Sequence, residues 1–347
     1  MTAPQPLLLR PDNFTPPART PWGGSKIVNN FKSFVHPAPD GGVGESWELS
    51  AGPEFASRDE GGRLLADAIG ADPASWLGDG AARGCALLVK LLDADEPLSL
   101  QIHPSDDYPG LEDGEGGKPE SWYVVDHEPG AALHLGFTPG VDRETVERTV
   151  EQGGDLSRLM QSVPVQVGDF VVLDAGTPHA VGAGITLVEP QRIVPGKVGV
   201  TYRYWDWNRR YDADGRPAED GSPRALHLRH ALAVTDFARA TDPAALGRRR
   251  MSAGPPRPSE AARLQPLCGP AGDGALESDT LRVARLDGSG TTTLGDWRRL
   301  RALTVLSGSV DIGGLRVDAG HTAALPAALG SVRVDLDRAH GLVSAAT

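Results

Sequence analysis

The sequence predicts a mainly β protein of two lobes with a few covering helices. With 347 residues, the chain is too long for one ordinary core at roughly 150 residues per domain. Its 43 glycines and 29 prolines, against 5% aromatic residues, mark a turn-rich chain rather than a helix bundle. Its apolar residues also fall in short runs, several of them alternating with polar ones at the two-residue period of a strand.

The charge balance excludes one class of partner. Against 46 Asp and Glu, 34 Lys and Arg leave a net charge of -12, so the chain lacks the cation excess that holds a nucleic-acid backbone. A small anion in a local basic pocket remains compatible. The two cysteines, Cys85 and Cys268, have no metal or redox spacing and read as inert core thiols. The first residues lack the basic start and long apolar centre of a signal peptide, and no apolar run approaches a membrane span. A soluble, cytoplasmic protein without membrane partners is expected.

Residues 7–50 read as loop-rich, with a sharp turn at Pro21-Trp22-Gly23-Gly24 and a strand over Glu45–Leu49. Leu64, Leu65, Ala68 and Ile69 recur at helical spacing and predict a covering helix within residues 56–80, with Gly70 placed to stop it. The run from Cys85 to Leu92 is nearly all apolar, the sign of a strand buried on both faces. Lys90 inside it is conspicuous, because a buried ammonium needs an anionic partner unless it snorkels to the surface.

In the next strand Gln101 and His103 share one face while Leu100 and Ile102 share the other. A barrel wall that carries ligands inward has this pattern, although a lone Gln-x-His also occurs on ordinary surfaces. An acidic, glycine-rich loop over residues 108–117 separates this strand from another over Ser121–Val125. Residues 142–160 predict two helices broken at Gly153-Gly154, with Val146, Val150, Leu156 and Leu159 buried. Gly168-Asp169 predicts a hairpin turn into a strand, after which residues 175–178 turn into His179 at the head of the next one.

The strand over Ile185–Glu189 ends on a carboxylate, and Arg203 lies among Tyr202, Tyr204 and Trp205, aromatic neighbours able to fix a guanidinium. A helix over residues 226–240 closes the first lobe. The predicted organisation is therefore a first domain over 1–240, a linker over 241–260, and a second domain of short strands over 261–347.

Several motifs occur together and in order: Trp22-Gly23-Gly24, Gly44-Glu45-Ser46-Trp47-Glu48-Leu49-Ser50, Ser99-Leu100-Gln101-Ile102-His103-Pro104, Gly117-Lys118-Pro119-Glu120 followed by Trp122-Tyr123, Gly176-Thr177-Pro178-His179, and Thr201-Tyr202-Arg203-Tyr204-Trp205-Asp206-Trp207. Over nearly its whole length the chain thereby resembles the type I mannose-6-phosphate isomerases in their shorter bacterial form. The resemblance implies a pair of cupin (jelly-roll) barrels and one Zn2+ per chain, held by Gln101, His103, Glu120 and His179. These donor types would also admit iron, manganese or cobalt.

The implied reaction interconverts mannose 6-phosphate and fructose 6-phosphate by moving a proton between C1 and C2 through an enediol-like state. Arg203 matches the family's anion-stabilising arginine, Glu189 the position of its proposed base, and Lys90, Ser99 and Lys118 its phosphate contacts. The stretch from Gln191 to Val200 is several residues longer than in bacterial relatives, so another aldose phosphate is an alternative substrate, and Arg192 and Lys197 become further candidates to reach the phosphate.

In the second lobe, residues 306–310 and 318–326 resemble a cupin strand pair without a ligand histidine. His321 reads as a turn residue and the lobe as a metal-free structural cover. An iron-dependent cupin oxygenase fits less well, because that chemistry favours two or three histidines with open positions and this set has an amide and two histidines. A non-catalytic, sugar-binding bicupin is the other alternative. The expected assembly is a monomer or homodimer.

Overall fold

The computed structural model describes residues 4–39 and 41–347. Strands dominate, as the turn-rich composition predicts, and form sheets of eight, six and five strands and a two-stranded ribbon. No helix among the described residues is long and apolar enough to cross a membrane.

The six-stranded sheet is built around strand Leu87–Ala94, which pairs with Glu45–Leu49 on one side and Ile185–Arg192 on the other. Strands Glu120–His127, Asp169–Leu173 and Arg250–Ser252 complete it. Every residue of Leu87–Ala94 is buried, as its apolar run requires. Side-chain alternation then sorts the sheet into two faces. Leu87, Val89, Leu91, Tyr123 and Val188 point into a core shared with the eight-stranded sheet, while Leu92, Trp122, Val124 and Leu187 point the other way.

On that second face lies the five-stranded sheet, in the order Tyr202–Trp205, Leu100–Ile102, His179–Ala180, Ala132–Phe137 and Met160–Pro164. Leu98, Leu133, Leu135 and Val181 close the space between the two sheets. Its outer face, carrying Leu100, Ile102, Tyr202 and Tyr204, is covered by helices Arg143–Glu151, Leu228–Val234 and Phe237–Ala240. Each fully buried aliphatic side chain in these layers contributes about 1.5–3 kcal/mol.

The structure corrects three expectations. Gly70 does not end the helix it lies in: that helix runs Leu65–Ala71, and a second, Pro73–Leu77, follows at once. Pro73 cannot continue the first helix, and Asp72 before it caps the second by accepting a hydrogen bond from the Ser75 N–H at 3.1 Å. Gly168 does turn the chain, at φ +92°, but not as a hairpin, because Met160–Pro164 and Asp169–Leu173 belong to different sheets. A Cβ there would meet the Gly254 carbonyl at 2.1 Å, so close backbone approach is what demands glycine.

The second lobe, third, is built on long strands: Leu281–Leu294, Arg301–Ile312 and Val332–Ala346. Gly288, Gly290 and Gly308 sit where the register shifts between paired strands. They bend continuous strands rather than ending them. Residues 243–247 form a short helix, and Arg250–Ser252 pair with Asp169–Leu173.

The first and last parts of the chain are joined directly. Leu7–Leu9, in the stretch that read as loop, pairs with Thr322–Leu325 in the eight-stranded sheet. Beside this joint Lys32 and Glu48, both buried, lie 2.9 Å apart. The Thr322 hydroxyl donates to Glu48 at 2.9 Å and the Lys32 ammonium to the Pro11 carbonyl at 2.9 Å. Removing one partner strands the other charge in the interior. Lys32→Met is therefore expected to lower unfolding stability by roughly 3–5 kcal/mol, and Lys32→Met combined with Glu48→Leu by distinctly less. Denaturant unfolding of the two variants checks this; equal losses would contradict it.

Candidate active site

Along the sheets, the space between the six- and five-stranded layers changes character. At one end Leu92, Val124, Ile185 and Leu187 face Leu133 and Leu135. Two to four residues further along the same strands the inward positions become Lys90, Glu120, Glu189 and Gln191, all buried. The opposing sheet supplies Gln101, His103, His179 and Arg203. Gln101 is the register partner of His179 on one neighbouring strand and of Arg203 on the other, so these three side chains form a row on one face.

His103, Glu120 and His179 converge there, with one potential ligand atom from each lying within 4.8 Å of the others. The Nε2 atoms of His103 and His179 stand 3.3 and 3.4 Å from the two Glu120 oxygens. Each imidazole has its Nδ1 against a backbone carbonyl, His103 on Val200 at 2.9 Å and His179 on Thr177 at 2.8 Å. A carbonyl can only accept, so both Nδ1 atoms carry the proton and both Nε2 lone pairs turn to the centre. The two Nε2 atoms and Glu120 Oε1 are buried with no hydrogen-bond partner. Three orphaned buried donors of lone pairs around one carboxylate are costly unless a cation joins them. Two imidazoles, a carboxylate and, beside them in register, the Gln101 amide form a set that fits a borderline divalent ion.

The electrostatics agree. Burial alone would raise Glu120, but Lys118, whose ammonium lies 3.4 Å away, leads the effects that outweigh it and hold the carboxyl well below its ordinary range. Burial lowers His103, and together with His103 it pushes His179 down to about 3. Both imidazoles are thus neutral, the state a ligand needs.

Glu189 behaves in the opposite way. Burial, followed by the negative charge of Glu120, pushes it up to about 8 against the pull of Lys90 and Lys118. Trp122 donates its indole N–H to Glu189 Oε1 at 3.0 Å, and the Gln191 amide donates to Oε2 at 2.7 Å. Lys90 does not snorkel. Its ammonium is buried over the Trp47 ring, 4.8 Å from the centroid, and lies 3.3 Å from Glu45 and 3.8 Å from Glu189. Burial would lower its pKa, but these carboxylates raise it, so it stays cationic.

Lys90, Ser99, Gln101, Lys118, Glu189 and Arg203 all line one cavity of about 580 Å³, of a size that suits a small ligand. Arg203 donates from Nη1 to the Ala225 carbonyl at 2.9 Å, and its buried Nε has no partner. Burial and the nearby Arg224 lower its pKa. Lys197 lies on the cavity wall, whereas Arg192 is engaged by Asp106 at 2.7 Å.

Three participants escaped the reading of the sequence. Glu45 and Trp47 line the cavity beside Lys90, and Gln191 joins Glu120 to Glu189. The same alternation that pairs Gln101 with His103 pairs Glu45 with Trp47 and Glu189 with Gln191, so the signal was present.

Comparison with known proteins gives this geometry a context. A mannose-6-phosphate isomerase of Streptococcus mutans is 33% identical over 216 residues, 61% of this chain and 63% of that protein. Over this stretch the chain is similar to mannose-6-phosphate isomerases. The match spans somewhat less than two thirds of that relative's length. The crystal structure of the mannose 6-phosphate isomerase from Bacillus subtilis superposes with a TM-score of 0.74 at 23% identity, covering 98% of this chain and 99% of that one. A mannose 6-phosphate isomerase structure bound with zinc and yttrium superposes with a TM-score of 0.67 at 15% identity, over 99% of this chain and 100% of that one. No family model matches the chain.

The orphaned ligand atoms make a direct prediction. Metal-depleted protein titrated calorimetrically with Zn2+ is expected to bind one ion per chain. Glu120→Ala or His179→Ala is expected to weaken binding by more than the roughly 10–100-fold cost of losing an outer-shell partner. Unchanged affinity in either variant would place the ion elsewhere.

Proposed function

We propose that this protein is a metal-dependent aldose-ketose isomerase that interconverts mannose 6-phosphate and fructose 6-phosphate. The observation that carries the proposal is a buried carboxyl with a raised pKa, Glu189, that lines the cavity and is joined through the Gln191 amide to Glu120 of the His103–Glu120–His179 cluster. The named activity of the relatives supports it.

Gln101, His103, Glu120 and His179 would hold the metal, with zinc the ion proposed. A divalent ion bound there supplies Lewis-acid charge that polarises sugar oxygens and offsets negative charge as it develops. The remaining work belongs to side chains. In the forward direction Glu189, as a carboxylate, takes the proton from C2 of open-chain mannose 6-phosphate, giving an enediol-like state, and returns it to C1, while the hydroxyl proton passes from O2 to O1, to give fructose 6-phosphate. Arg203, with an unpartnered Nε in a largely buried setting, offers positive charge to the oxygens of that state. Lys90, Ser99 and Lys118 would hold the phosphate; both ammonium groups are already confined to the cavity wall. Residues 193–199 form part of that wall, so the longer loop bears on which aldose phosphate is preferred.

In the same reading residues 1–240 form the catalytic cupin unit, 241–260 the connection and 261–347 a second cupin that covers the first. Among the described residues, the second unit has no cluster of metal-ligating side chains. His321 follows the turn at residues 319–320 and stacks on Phe34, in keeping with a structural role.

A coupled assay for fructose 6-phosphate formation from mannose 6-phosphate tests the proposal. Activity should appear, vanish on chelation and return with Zn2+; no turnover by metal-loaded protein would overturn it. Burial and the charge of Glu120 push the Glu189 pKa up, to about 8 before a cation is bound, and only its carboxylate can accept a proton. The rate at low substrate should therefore rise with pH through the neutral range and then level off, and Glu189→Gln should cost roughly 10²–10⁴-fold in kcat. A rate that falls as pH rises from 6 to 8 would contradict Glu189 as the base.

A further inference from the structure

We propose that Gln191 is a positioning residue that couples the metal-ligating carboxylate to the proton-transferring one. This inference rests on the isomerase reading for its kinetic part and on geometry alone for its metal-binding part.

Gln191 lies on strand Ile185–Arg192, two residues beyond Glu189 and therefore on the same face, and its register partner on the adjacent strand is Glu120. It is 1% exposed. Its amide nitrogen donates to Glu120 Oε2 at 3.0 Å and to Glu189 Oε2 at 2.7 Å. A carboxamide nitrogen has two hydrogens, so one group can serve both acceptors at once. In this orientation the amide's own oxygen is buried without a partner.

The consequences differ at the two ends of this bridge. On Glu120, Oε2 is shared by Gln191, Lys118 at 3.4 Å and His103 at 3.3 Å, while Oε1 keeps no hydrogen-bond partner. Gln191 thus helps select the oxygen that remains available to a metal. On Glu189, Trp122 holds one oxygen and Gln191 the other, so the carboxylate plane is fixed by two donors. Pro190 between the two carries a fixed φ and stiffens the short link from Glu189 to Gln191. No other residue hydrogen-bonds both carboxylates among the described residues, and a base placed relative to the metal carboxylate is what proton transfer beside a bound sugar requires.

The test uses full-length wild type and Gln191→Met, which keeps length and buried volume but donates no hydrogen bond. Metal affinity is read by competition with a chromophoric chelator, and kcat and KM by the coupled assay. Gln191→Met is expected to lose about 10–100-fold in Zn2+ affinity and a similar factor in kcat measured at saturating Zn2+, with KM changed little. A merely structural glutamine would lower thermal stability without that split between kcat and KM. If Gln191→Met does not fold, Gln191→Glu carries the test: a third carboxylate between the other two should depress kcat further. Wild-type metal affinity and kcat in a folded variant would overturn the inference, as would a loss confined to KM. Absence of turnover in the wild type would instead overturn the isomerase reading, and the metal competition would still decide the role of Gln191 at Glu120.

Discussion

The arrangement depends on one buried charge. Glu120 is fully enclosed, and a carboxylate cannot remain ionised there without compensation. Lys118 and Gln191 provide part of that compensation. They leave three lone-pair atoms without a partner, a pattern that a bound cation would complete. Its negative charge also propagates. It is the main charge acting to keep Glu189 protonated near neutral pH, and it helps keep Lys90 cationic. One residue therefore links the proposed metal site, the proposed base and the proposed phosphate contact.

The sheets make such a cluster tolerable by dividing one interior into two regions. Strands Leu87–Ala94, Glu120–His127 and Ile185–Arg192 each contribute apolar side chains to the dry end and polar ones to the cavity end. The dry end supplies packing and rigidity, and the cavity end spends part of that stability on buried polar groups. Outside, the eight-stranded sheet packs against the back of the same strands through Val89, Tyr123 and Val188 on one side and Val283 and Leu342 on the other. Tyr123 adds a hydrogen bond to His340 across that joint at 2.9 Å. The second lobe thereby stiffens the strands that bear Lys90, Glu120 and Glu189, a physical role that needs no metal of its own.

Strand alternation made a good part of this legible in the sequence. It put Gln101 with His103 and marked Lys90 as anomalous in an apolar run, and Gln101 and Lys90 both line the cavity. What it left open are matters of register and long-range pairing. Nothing local to Leu7–Leu9 indicates a partner more than three hundred residues away. Residues 261–347 read as short strands, and only the pairing shows that the chain bends at glycines 288, 290 and 308 and continues. Gln191 could have been found by extending the alternation argument two residues past Glu189, but its contact with Glu120 depends on which strands are neighbours. Likewise, Arg192 looked like a candidate for an anion until the fold placed Asp106 beside it.

The measurement that most directly tests this account is anomalous diffraction at the zinc edge from crystals of the metal-loaded protein. The account predicts a single strong peak per chain, within bonding distance of His103 Nε2, His179 Nε2, Glu120 Oε1 and the Gln101 side-chain oxygen. A peak bound elsewhere, or one that leaves Glu120 without a metal contact, would contradict it.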